Sequence, residues 1–86
     1  MSNLWSGVIN TNNEYVTLAS ISGVTFEEDK TYTLQIKGSC TLCESSAEPT
    51  SGGFHIDRLM PIQYTKGTGD LYVKNDSYYC EINIAE

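Results

Sequence analysis

The sequence predicts an all-β domain, a small antiparallel β-sandwich of jelly-roll or immunoglobulin-like form, with a small β-barrel as the alternative. Three observations predict it. Thr31-Tyr-Thr-Leu-Gln-Ile-Lys37 and Tyr78-Tyr-Cys-Glu-Ile-Asn-Ile84 alternate polar and apolar residues, which places one set on a dry face and the other on a wet one. No stretch holds the i, i+3, i+4, i+7 apolar spacing of a helix for long enough to matter. Short β runs separated by turn residues recur about every 8–12 residues, the rhythm of a sandwich or barrel.

Taken in order, strands are expected at Trp5–Asn10, Glu14–Ile21, Val24–Phe26, Thr31–Gly38, Cys40–Cys43, Phe54–Asp57, Ile62–Thr65, Asp70–Lys74 and Tyr78–Ala85. Asn10-Thr-Asn-Asn13 reads as a turn because asparagine tolerates a left-handed backbone and bonds its own amides. Ser22-Gly23, Glu27-Glu-Asp-Lys30, Lys66-Gly-Thr-Gly-Asp70 and Asn75-Asp-Ser77 read likewise. Pro61 stands where a strand begins, a position that tolerates a missing amide hydrogen. Glu44-Ser-Ser-Ala-Glu-Pro-Thr-Ser-Gly-Gly53 is the long irregular stretch, and with nothing aromatic or basic in it the expectation is a connector.

The 86 residues make one domain, residues 1–86, with a thin core that a partner subunit would support. A net charge of −6 opposes nucleic acid, whose phosphates need clustered Lys and Arg, and opposes anionic membranes. Neither a signal peptide nor an apolar run of about 20 residues is visible, so synthesis in a cytoplasm is expected. Asn75-Asp-Ser77 matches a glycosylation sequon, which has no meaning without a secretory route.

Four residues form the one set with metal-ligand chemistry: Cys40, Cys43, His55 and Cys80. Zinc takes four such ligands, but in a strand residues three apart point to opposite faces, and no knuckle glycine lies within Cys40-Thr-Leu-Cys43. His55 shares a strand with Phe54 and Ile56, whose parity turns its ring outward. A thioredoxin-type role needs a helix after the first thiol, and none follows, so buried free thiols are expected. A Cys40–Cys80 disulfide is the alternative for an oxidising setting. His55-Ile-Asp57 pairs a base with a carboxylate on one face, yet no nucleophile elbow accompanies it. Glu27-Glu28-Asp29 offers oxygens for calcium but reads as a solvated turn. No catalytic residue, metal or cofactor is expected, and the chain is not read as an enzyme.

Binding is the better expectation. Trp5, Tyr72 and Tyr79 are the candidates, as sugar-stacking platforms or as interface residues, and for an acidic domain with a thin core the interface ranks first. By parity Tyr72 and Tyr79 point away from Leu71, Val73, Cys80 and Ile82.

The order of segments Gly23–Ile36, Gly52-Gly-Phe-His-Ile56, Pro61-Ile-Gln-Tyr-Thr65, Asp70-Leu-Tyr-Val-Lys74 and Ile82-Asn-Ile-Ala-Glu86 resembles small β-sandwich modules of tailed-bacteriophage virions, which decorate a capsid or form a fibre base. The resemblance implies a noncatalytic virion structural protein, a homo-oligomer and often a trimer, bound to capsid or tail proteins and made in the host cytoplasm. The alternative is a carbohydrate-binding module, with glycans as partners. The third reading is a small acidic anti-defence inhibitor, which would need its acids gathered on one face.

Overall fold

The computed structural model describes residues 2–10, 14–50, 52–56 and 61–86, the side chains of 77–79 apart. The all-β class holds. Six strands, β1 (Asn3–Val8), β2 (Val16–Thr17), β3 (Thr31–Ser45), β4 (Phe54–Ile56), β5 (Pro61–Thr65) and β6 (Asp70–Ala85), join one helix, α1 (Leu18–Ser22). They form one antiparallel sheet, curled into a half-barrel, which stands nearer the barrel alternative than two stacked layers.

β3 and β6 are its spine. They pair along nearly their whole length, from Thr33↔Ala85 to Ser45↔Asp70. β6 carries β1 and β2 on its outer side, while β3 carries β5 and β4 on its own. Each spine strand replaces two expected strands. Where breaks at Ser39 and at Asn75–Ser77 were expected, the ladder continues through an irregularity: Gly38 pairs with Cys80 and Cys40 with Asn75. Ser39 alone therefore spans the stretch that residues 76–79 occupy on β6. Gly38 makes this possible at φ 99°, a backbone conformation costly for any residue with a Cβ.

The period of two places the core. Tyr32, Leu34, Ile36, Cys40 and Leu42 of β3 share the inner face with Leu71, Val73, Cys80, Ile82 and Ile84 of β6, all buried. Ile9, Leu18 and Phe26 close over this face. Phe26 meets Tyr32 edge-on at 4.8 Å, and the amide of Glu27 donates to the Tyr32 hydroxyl at 2.7 Å.

Two expected strands take other forms. Of Glu14–Ile21 only Val16–Thr17 is strand, and Leu18 begins a single helical turn that drops its side chain into the core at 0% exposure. Gly23 ends that turn at φ 75°, its amide bonding the Ala19 carbonyl. Val24–Phe26 runs outside the sheet, and the packing of Phe26 fixes it instead. Residues 11–13 of the expected first turn and Asp57 lie outside the described residues.

Candidate functional site

On the outer face the register of β3 gathers a polar cluster. Thr41 stands opposite Lys74 on one side and His55 on the other. Asp76, where the β6 irregularity begins, accepts the Thr41 hydroxyl at 2.5 Å and lies 2.8 Å from His55 Nδ1, both through the same oxygen. Lys74 Nζ is 3.7 Å from its other oxygen. Burial pushes the Asp76 carboxyl up, but the Thr41 hydroxyl, the His55 ring and the Lys74 ammonium outweigh it and hold the group below the usual range.

Glu48, Pro49 and Thr50 lie beside this cluster, next to Tyr15 and Lys74. Tyr15, beneath the Lys74 ammonium at 5.1 Å from its ring centre, donates its hydroxyl to the Gly52 carbonyl at 2.7 Å. Gly53 lies so close that a Cβ there would sit 2.7 Å from the Leu42 carbonyl oxygen. Gly52 and Gly53 thus lie against the outer face of the sheet. Chemically the cluster converges on one carboxylate, that of Asp76. Thr41 donates to the carboxylate that also engages His55, so its hydroxyl is not aligned with the ring for activation as a nucleophile.

The sheet divides the expected zinc set. Cys40 and Cys80 share the buried inner face, whereas Cys43 and His55 stand on the outer face beside Tyr72 and Thr41. Among the described residues no group of three potential ligands gathers around a point. The hydrogen bond to Cys80 and then burial push the Cys40 thiol far up, as suits a protonated thiol in the core.

The inner face opens beyond the core. β4 and β5 share one edge of β3, and Leu42, Phe54, Ile56, Ile62, Tyr64 and Leu71 line a hollow of about 270 Å³ among the described residues. Phe54, paired with Leu42, stands at its rim with 79% of its surface exposed. A carboxylate marks one end: Glu44 accepts the Tyr64 hydroxyl at 2.6 Å and the Gly67 amide at 2.8 Å. These two donors hold Glu44 below the usual carboxylate range, while burial and then Glu44 itself push the Tyr64 hydroxyl up.

The aromatic candidates fare unequally. Tyr72 lies on the outer face as parity predicts, half-buried between Thr17 and Cys43. Trp5 is on the opposite side, packed on the core, with its ring over the space a Gly7 side chain would fill. The Tyr79 side chain lies outside the described residues. Trp5 and Tyr72, on opposite sides of the sheet, do not share a stacking platform. Sequence reasoning missed Phe54 and Asp76. Parity assigns Phe54 to the inner face without revealing that the sheet ends beside it. Asp76 lies 21 positions from the histidine it binds, a separation that local motifs do not reach. Asp57, the carboxylate expected beside His55, is outside the described residues.

Compared with known proteins, the chain matches no family model, no curated sequence and no solved structure. No helix among the described residues is long and apolar enough to cross a membrane.

Proposed function

We propose that the chain is a noncatalytic structural component of a tailed-bacteriophage particle, a decoration, head-fibre or tail module that acts by protein–protein assembly. The sequence resemblance supplies the setting, and the hollow beside Phe54 supplies the mode of action. A phenylalanine 79% exposed at the rim of an apolar hollow is the observation that carries the reading. Covering such a side chain contributes about 1.5–3 kcal/mol, a gain that a partner surface would deliver. A net charge of −6 keeps free copies soluble and favours neutral or basic shell surfaces over nucleic acid.

The test is composition of the particle. Phage particles from a host carrying this gene are purified by density and their proteins quantified by mass spectrometry. The chain is expected in copy numbers comparable with the shell or tail proteins, and Phe54→Asp is expected to remove it from particles while remaining folded. Particles that lack the wild-type chain, although it is expressed, would overturn the proposal.

A further inference from the structure

Resting on the same premise of action through protein contacts, we propose that β1 is a pairing edge for a second copy of this chain, the two β1 strands running antiparallel about a twofold axis near Ser6.

β1 ends the strand order β1-β6-β3-β4. Which backbone groups it leaves unpaired follows from one bond. The Ile9 amide donates to the Cys80 carbonyl at 2.8 Å, so Ile9, and by alternation Gly7, turn their backbone groups towards β6. Ser6 and Val8 then turn their N–H and C=O outward, and no described residue bonds them there.

Proteins blunt such edges with proline, charge or brevity. The other edge strands show these devices: β5 begins on Pro61, β4 has three residues and β2 has two. β1 has six, Asn3-Leu-Trp-Ser-Gly-Val8, without a proline or a charge. Leu4 is 37% exposed and Val8 39%.

Charge selects the occupant. With a net charge of −6, copies of the chain repel over most of their surface, and an edge free of charge is where they can approach. Glu81, opposite Val8 on β6, is countered by Lys37 at 3.5 Å. The edge is also self-complementary. An axis at Ser6 sets the outward N–H and C=O of that residue against the same groups of the copy. It also brings Leu4 of one chain to Val8 of the other, so two half-covered apolar side chains cover each other. The product is one continuous sheet through both half-barrels.

Light scattering over a dilution series, with hydrogen–deuterium exchange on the same samples, tests this. The wild-type chain is expected at twice its own mass when concentrated, with the Ser6 and Val8 amides exchanging slowly there and rapidly on dilution. Ser6→Pro removes an amide hydrogen that β6 does not use, and Val8→Lys adds charge without touching the backbone. Each is expected to raise the dissociation constant roughly tenfold or more while leaving the circular dichroism unchanged. Phe54→Asp is expected to leave pairing intact. A wild-type chain that stays at its own mass at every concentration overturns the inference. So do a dimer that both edge variants leave intact, and β1 amides protected only when a shell protein is added. Pairing by a chain that is absent from particles overturns the proposed function alone, and a strictly monomeric chain found in particles overturns the edge pairing alone.

Discussion

Asp76→Ala probes the cluster that ties β4 to β6 across β3. Thr41 is 8% exposed, and its hydroxyl has Asp76 as acceptor at 2.5 Å. Removing the acceptor leaves a buried donor unsatisfied, at about 1–3 kcal/mol. The His55 contact adds less, because that side chain is 55% exposed and an exposed ion pair is worth roughly 0–1 kcal/mol. A loss of about 2–3 kcal/mol is therefore expected, a large share of the stability of a small domain. In urea unfolding at neutral pH the midpoint should fall by roughly 1–2 M with an unchanged slope. Thr41→Val in the same background should restore part of the loss, because the stranded donor is gone, giving a coupling of about 1 kcal/mol in the double-mutant cycle. The pH dependence has a definite sign. Asp76 titrates lower in the folded chain than in the unfolded one, so its contribution is complete above the unfolded value near 4 and disappears as pH falls through the folded value. The wild-type chain should lose this increment on acidification below about pH 4, and the variant should show a shallower acid limb. A midpoint shift worth less than about 0.5 kcal/mol, or identical acid limbs, would refute the reasoning.

Three further outcomes are expected. Gly53→Ala should cost about 2 kcal/mol or more in thermal unfolding, because φ is +104° and the new Cβ meets the Leu42 carbonyl at 2.7 Å, whereas Gly52→Ala, at φ +89° with open space around it, should cost only about 1 kcal/mol. Equal losses for the two would show that the close approach of Gly53 to Leu42 does not matter. Ile82→Ala, at 0% exposure on the inner face of β6, should lose about 2–5 kcal/mol in chemical denaturation. Glu44→Gln should move the Tyr64 ionisation to lower pH in an ultraviolet absorbance titration, since a neighbouring negative charge is removed, and an unmoved titration would show that the pair is not formed in solution.

The alternation at Thr31–Lys37 and Tyr78–Ile84 made the spine of the sheet legible, because a period of two needs no distant information. It did not reveal that the spine is unbroken. Ser39 and the Asn75–Ser77 segment interrupt the alternation as a turn would, and only the partner strand distinguishes an irregular ladder from a chain reversal. The helical turn at Leu18–Ser22 was hidden for a related reason: five residues are too few to display a helical period, and Val16 and Leu18 mimic a strand. The outward ring of His55 and the opposite facing of Cys40 and Cys43 followed correctly from parity. The carboxylate that binds His55, and the exposure of Phe54 beside the hollow, depend on pairings between distant segments and left no local trace.

The two ends of the described chain lie side by side. Ser2 and Glu86 exchange two backbone bonds, at 3.0 and 2.9 Å, at the start of the β1–β6 ladder. Tension applied between these ends loads the ladder one rung at a time, like opening a zip, instead of shearing all its rungs together. The molecule is therefore mechanically soft along its own polypeptide. A load carried through its lateral faces, where many bonds share the force, would meet far greater resistance, and force spectroscopy in the two geometries would differ accordingly.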